Sequence, residues 1–349
     1  FPKRSLEFLI KKYSLNEKNI KSVCFYEKPF KSWWEIFNYS IKKPMENKKL
    51  LTHHLKNFNT GSIFFYTHLN KVIKISKDKI LYSSHHLSHC LYGSLYVENV
   101  DDYAFISCDG VGEGETMTIY TIDSENLIKK HWTNFYPNSL GLFYSAITDF
   151  LGFDINDGEF KVMSLSSYGN PVYEKEMEKI FDCEQLKINS SYFEFQKNPE
   201  RSFSEIFIEI FGKPYLNLSI KENFQKYSNI ASSAQIILNK SVKNLILKAK
   251  QLTGKNKIVL TGGVALNCKM IHDLSKENIF EELIVPPSPG DSGSAIGAAN
   301  FSYLYENNKF LKDIGLFPGP DKEEVNKQFK LNEFFEKISQ QQNFLEMAS

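Results

Sequence analysis

Tyr103-Ala104-Phe105-Ile106-Ser107-Cys108-Asp109-Gly110-Val111-Gly112-Glu113 is the segment around which the chain organises itself. Its first six residues form an apolar run of strand length closed by a turn signal, the pattern of a short buried strand. Asp109 therefore stands at the end of a rigid element, where a carboxylate can be held at the floor of a site. Asp-Gly is a favoured start for a turn, and Glu115 to Ile122, with Thr116, Thr118 and Tyr120 alternating, reads as the returning strand of a hairpin. The two glycines carry a second meaning. Without a Cβ they let backbone amides approach an anion, which suits a polyphosphate. On this segment alone the two readings stand level.

Upstream, His85-His86-Leu87-Ser88-His89 follows a strand expected from Lys79 to Ser83. On a helix His85 and His89 lie four residues apart and emerge from one face, while His86 points elsewhere. Downstream, a long helix expected over Asn223 to Leu252 gives way to alternating α/β: strand Ile258 to Thr261, helix Ala265 to Asp273, strand Leu283 to Pro286, helix Ser292 to Tyr303. Thr261-Gly262-Gly263-Val264-Ala265-Leu266-Asn267 places amide donors at a positive helix terminus, where a nucleotide phosphate or sugar fits. It has neither the GK[ST] ending of a Walker loop nor GxGxxG, which weakens the P-loop and dinucleotide readings. A plain strand-to-helix turn is the alternative. Pro289 to Ala299 repeats the arrangement with Asp291 first. An Asp there is ordinarily an N-cap, and the small residues after it permit close helix packing or close approach of a bulky ligand. Two imidazoles with carboxylates from strand or helix ends make a nitrogen and oxygen set fit for iron, manganese or zinc.

The 349 residues leave room for two compact domains or two lobes of one. With 42 Lys and Arg against 41 Asp and Glu, no global field recruits nucleic acid or an acidic membrane. No apolar run approaches the ~20 residues of a membrane span, and no signal-peptide core opens the chain, so a cytoplasmic location is expected. Cys24, Cys90, Cys108, Cys183 and Cys268 are scattered singly and read as reduced thiols, Cys90 and Cys108 as packing residues. The start at Phe1-Pro2, without methionine, reads as a piece of a longer protein. Helices are expected over Leu6 to Tyr13, Ser32 to Asn57 and Leu140 to Phe150, the last ended by Gly152, and strands over Ser22 to Tyr26 and Ile128 to Trp132. Trp33, Trp34, Ile36 and Phe37 offer a bulky face suited to core or subunit interface, including that of a homodimer. Tyr173 to Tyr215 shows no period and reads as an insertion; Gly315 to Pro320 breaks structure ahead of a Gln-rich tail.

Six ordered motifs resemble a known family: HHLSH at His85, SCDGVGE at Ser107, NSLGLFYSAITDFLGF at Asn138, GEFKVMSLSSYG at Gly158, LTGGVALN at Leu260 and PPSPGDSGSAIGAA at Pro286. The family is that of the carbamoyltransferases, which includes nodulation and antibiotic-tailoring O-carbamoyltransferases. The resemblance implies an α/β fold of the actin-like, ribonuclease H-like class, two-lobed and related to the tRNA threonylcarbamoyl transferases. Residues 1–97 would be a truncated first lobe carrying the histidine helix. Residues 98–310 would be the second lobe, with an insertion at 173–220, and residues 311–349 a linker ahead of a YrdC-like domain.

The resemblance further implies one divalent metal, iron first with manganese or zinc as alternatives, on His85, His89, Asp109 and Asp291. ATP would lie along Gly110, Gly112, Gly262, Gly263, Val264 and Asn267, with Glu159 and Lys161 facing the same cleft. In the implied reaction, carbamoyl phosphate and ATP give carbamoyl adenylate, whose carbamoyl group passes to the hydroxyl of a small-molecule acceptor. A YrdC-like domain, in cis or in trans, processes the carbamoyl phosphate, and the catalytic residue is expected in an N-terminal hairpin that precedes the equivalent of Phe1 in family members. Ser164 and Ser166 stand where Gly and Ala are usual. A threonylcarbamoyl transferase acting on tRNA is the rival enzyme; near-neutral charge and the lack of a basic stripe count against it. A binding or assembly module docking through Trp33 and Trp34 is the rival from another class.

Overall fold

The computed structural model describes residues 1–42, 45–56, 62–198, 200–214 and 220–311. Within it Phe1–Phe310 form one compact unit. The first part runs α1 (Lys3–Tyr13), β1 (Val23–Phe25), α2 (Pro29–Lys42), α3 (Lys48–Lys56), α4 (Phe65–Asn70), β2 (Ile80–Tyr82) and α5 (His85–Gly93). β1 and β2 pair in parallel, Val23 opposite Ile80 and Phe25 opposite Tyr82, over a small cluster of Phe65, Leu69 and Ile75. The single helix expected over Ser32 to Asn57 is two. Pro44 lacks the N–H that a continuing helix requires.

The main sheet is built from β3 (Tyr103–Gly112), β4 (Glu115–Ile122), β5 (Ile128–Phe135), β8 (Lys257–Thr261) and β9 (Glu282–Ile284), in the order β5-β4-β3-β8-β9. β4 is antiparallel to both neighbours, and β8 and β9 run parallel to β3. Taken in chain order this is 3-2-1-4-5 with only the second strand reversed, the topology of a ribonuclease H-like lobe in the expected actin-like class. The remaining elements are α6 (Leu140–Phe150), α7 (Glu159–Leu165), α8 (Glu174–Ile180), β6 (Phe181–Asp182), β7 (Lys187–Ile188), α9 (Glu205–Phe211), α10 (Ile220–Thr253), α11 (Cys268–Ser275) and α12 (Asp291–Asn307).

Two layers cover this sheet. On one face Ala104, Ile106, Cys108, Met117 and Ile119 pack against α6, α10 and α11. On the other, Tyr103, Phe105, Tyr120 and Val259 pack against Cys90 and Leu91 of α5, with Phe301 and Leu304 of α12 behind. The alternation expected in β4 is therefore absent: Thr116 and Thr118 are as buried as Met117, because a helical layer lies on each side. β3 also continues past its apolar run. A register shift between Cys108 and Gly112 keeps Asp109 to Gly112 within the strand, and the turn is the pair Glu113-Gly114. In the C-terminal half the 3-10 turn Gly263–Leu266 precedes α11, so the helix expected from Ala265 starts at Cys268.

The stretch from Tyr173 to Tyr215 holds α8, the β6–β7 pair and α9, and it delivers Phe181, Phe193, Phe203, Phe207 and Phe211 to the main core. Phe150 of α6 meets Phe203 and Phe207 at centroid separations of 5.2 and 5.0 Å. Helices of seven residues and strands of two are too short to write a period into sequence, although their aromatic content fills the core. The Gly315 to Pro320 break and the Gln-rich tail lie outside the described residues, as does Tyr215 itself.

Candidate metal centre

The contact of α12 with α5 assembles the site. A Cβ on Gly297 would lie 1.8 Å from the Ser88 carbonyl oxygen, and one on Gly293 would lie 2.2 Å from that of Ser288 and 2.4 Å from the Tyr92 ring. Small residues here serve close helix packing, and Asn300 adds an amide donor to the Leu91 carbonyl at 2.9 Å. The approach carries Asp291, the first residue of α12, to the histidines. Asp291 is no N-cap: that place belongs to Gly290, and no side chain caps the helix.

His85 and His89 point from one face of α5, with their Nε2 atoms 3.2 Å apart. Asp109 Oδ2 lies 3.1 Å from the first and 2.9 Å from the second, and Asp291 Oδ1 lies 3.5 Å from both. These four ligand atoms are all within 4.8 Å of one another. With metal–imidazole bonds of about 2.1 Å, adjacent donors around one ion are separated by about 2.9–3.4 Å, so the His85, His89 and Asp109 atoms stand at polyhedron-edge spacing and Asp291 lies just beyond it. Neighbouring bonds prepare two of the ligands, His89 and Asp109. Ser294 Oγ stands 3.0 Å from His89 Nδ1, leaving Nε2 for the centre, and the Gly110 N–H donates to Asp109 Oδ1 at 2.7 Å, leaving Oδ2. The His89 side chain is wholly buried whereas that of Asp291 is 60% exposed, so the site opens on the Asp291 side.

Burial alone would push the His89 pKa down, but its contacts with Asp109 and Asp291 outweigh burial and raise it from 6.5 to about 9. Burial likewise opposes the Asp109 charge, and hydrogen bonding to His85 and His89 holds its pKa well below the usual carboxylate value. With its folded-state pKa above the unfolded one, His89 contributes stability that is complete below about 6.5 and is lost as pH rises through about 9. The metal-free chain is therefore expected to unfold at lower temperature as pH climbs from 7 to 10, and His89→Gln to flatten that slope in thermal scans. A divalent ion must displace the same proton, so its affinity is expected to rise with pH across this window.

His86 faces away, as its spacing requires. Its Nδ1 is 3.1 Å from Thr118 Oγ1, and burial, then the neighbouring histidines, press its pKa well below 6.5. Cys90 and Cys108 are fully buried, with thiol pKa values driven up by burial, and neither joins the ligand cluster.

The glycines form a rim beside these ligands. Gly262, at φ +92°, sits on the Cys108 backbone and donates its N–H to the Pro289 carbonyl at 2.8 Å. A Cβ on Gly263 would lie 2.8 Å from Asp109 Oδ1, while one on Gly110 would meet nothing within 4 Å. Gly112 serves His85 directly, since a Cβ there would lie 2.2 Å from the imidazole. Val264 is buried in the core. Asn267 caps α11 by accepting the Met270 N–H and pairs its amide with Gln235. On α7, Glu159 accepts from Ser145 Oγ and the Asn156 N–H, and the Lys161 ammonium rests over Phe153 and Phe160. Asp109, Gly110, Gly262, Gly263 and Asp291 thus come together, whereas Glu159, Lys161 and the Asn267 side chain make their contacts elsewhere. Ser294, Tyr26, whose ring lies 5.6 Å from His85, and the side chain of Glu113 are further parts of the site that the motifs did not single out.

Residues 1–300 match the family described as "Carbamoyltransferase N-terminus". The chain belongs to this carbamoyltransferase family. It is similar to an uncharacterized protein of Synechocystis sp., 28% identical over 86% of this chain and 50% of that protein. It is also similar to nodulation protein NolNO of Sinorhizobium fredii, 26% identical over 65% of this chain and 32% of the relative, and to NolO of Bradyrhizobium diazoefficiens, 30% identical over 46% and 28%. The chain thus spans half or less of the length of these relatives. Among solved structures it is similar to the activator of the 2-hydroxyisocaproyl-CoA dehydratase from Clostridium difficile with bound ADPNP, with a TM-score of 0.43 and 17% identity over 90% of this chain and 85% of the other. Among the described residues no helix is long and apolar enough to cross a membrane.

Proposed function

We propose that this chain is the metal- and ATP-holding part of an O-carbamoyltransferase that passes a carbamoyl group from carbamoyl phosphate, through carbamoyl adenylate, to the hydroxyl of a small molecule. The observation that carries this reading is the convergence of His85, His89, Asp109 and Asp291 beside the glycine rim, within a carbamoyltransferase family member. Residues 1–97 and 98–310 would act as the two walls of the cleft, with a YrdC-like domain supplying the activated carbamoyl group.

The four ligands would hold the ion, ferrous iron by preference, and that ion would supply Lewis acidity and a template for phosphate oxygens. The chain's own residues do the rest. Gly110 and Gly263 leave space for phosphate next to Asp109, and the Gly263 backbone amide can donate to it. Asp291, on the exposed side, marks the direction from which nucleotide enters. In the transfer step the acceptor oxygen bonds to the carbamoyl carbon, the bond from that carbon to the AMP phosphate oxygen breaks, and the hydroxyl proton passes to a base. AMP and the carbamate ester are the products.

The test supplies carbamoyl phosphate, ATP, a separate YrdC-like domain and a panel of hydroxyl acceptors, and measures AMP and carbamoylated product by mass spectrometry. Product that depends on ATP, and that falls ~100-fold or more in Asp109→Asn, is the expected result, since charge stabilisation of several kcal/mol is removed. Nucleotide and metal binding without any AMP release would favour a binding or assembly module.

A further inference from the structure

We propose that Glu113 is a positioning residue for the metal centre, a carboxylate that caps the histidine helix from the facing hairpin and fixes where His85 points. The inference rests on the metal reading above and adds to it a residue that is not a ligand.

Glu113 is a poor fit to its own turn. Gly112 pairs with Glu115, so Glu113-Gly114 is a two-residue hairpin turn, and both residues have positive φ, +56° and +82°. Turns of that kind favour Asn, Asp or Gly at the first central position, where Glu is disfavoured. Residues that break a local rule are kept where another requirement wins. Here the requirement is visible in the side chain, which is 1% exposed. Its Oε1 accepts the His85 N–H at 3.0 Å and the Lys28 N–H at 2.8 Å, and its Oε2 lies 3.4 Å from Lys31 Nζ.

These partners matter because the first N–H groups of a helix have no partner within it, and Ser84, the N-cap of α5, supplies no side-chain bond. A carboxylate at that end also meets the positive pole of the helix. Glu113 therefore performs from β-hairpin to helix what a capping side chain performs within one, and it ties the same point to the start of α2. His85 is thereby held from two directions. Gly112 sets the distance of the imidazole from the strand, and Glu113 holds its backbone. Asn or Asp at position 113 would suit the turn better but is one methylene shorter than the reach from turn to helix.

That opposition yields the test. The whole chain is titrated with Co2+ and its d–d absorption recorded as a readout of the ligand arrangement, beside the thermal midpoint. Glu113→Asn is expected to lower the thermal midpoint only slightly, better turn fit offsetting part of the lost cap, while its Co2+ affinity falls roughly 10- to 100-fold and its bands shift. Glu113→Gln, with the same reach and an acceptor oxygen, is expected to stay within ~5-fold of wild type and to keep the wild-type spectrum. Wild-type affinity and bands in Glu113→Asn would overturn the proposal, as would equal damage from both variants accompanied by a fall in midpoint. Failure of the wild-type chain itself to take up Co2+ would instead overturn the metal reading on which the proposal stands.

Discussion

His89→Ala is expected to abolish stoichiometric metal binding, with the bound ion falling from one per chain to background in elemental analysis after dialysis. His89 is the deepest ligand, wholly buried, with Ser294 on one ring nitrogen and Asp109 and Asp291 near the other. Altering a group that merely supports a ligand costs metal affinity roughly 10- to 100-fold. Removing the ligand itself should cost more. The same substitution strips Asp109 of its nearer imidazole, and breaking a buried charge pair from one side costs about 3–5 kcal/mol, so a drop in unfolding free energy of about 3 kcal/mol is expected. Asp291→Asn separates the two effects. Its side chain is 60% exposed, so the thermal midpoint should hold while metal content still collapses.

The second large effect is expected at a position that touches no ligand. Gly297→Val should destabilise the chain by about 3 kcal/mol, the upper end of ordinary overpacking costs, because its Cβ would lie 1.8 Å from a backbone carbonyl that cannot swing aside. α12 would have to move off α5, and Asp291 moves with it, so metal content should fall as well. Gly290→Ala, one residue before α12, is the control: its Cβ would meet only Leu266 at 3.6 Å and Gly263 at 4.0 Å, and denaturant midpoints should be nearly unchanged. Equal midpoints for Gly297→Val and Gly290→Ala would mean that the helix contact is not what holds the fourth ligand in place.

Much of this architecture was legible in the sequence wherever a period was long and strong. α6 and α10 write their helical spacing over three turns or more, and the β3–β4 pair is announced by its apolar run. The histidine pair was legible for the same reason, since i and i+4 on a helix share a face. Legibility failed where structure departs from a period. The register shift in β3 leaves no mark on Asp109-Gly110-Val111-Gly112, so the turn was expected too early. Burial of Thr116 and Thr118 comes from helices far along the chain, which no local pattern reports. Ser294 stands among Ser292 and Gly293 with nothing to distinguish it until α12 is laid on α5. Glu113 is hidden for the same reason: its place in a turn position that favours Asn or Gly shows only once β3 is carried on to Gly112.

X-ray absorption at the iron edge of the Fe2+-loaded chain, recorded with and without ATP, tests most directly whether these residues form a metal centre that meets nucleotide. The expected spectrum shows two imidazole ligands per iron, lost in the His85→Ala and His89→Ala variants, and gains a phosphorus shell when ATP is added. An iron signal without imidazole scattering, unchanged by ATP, would contradict it.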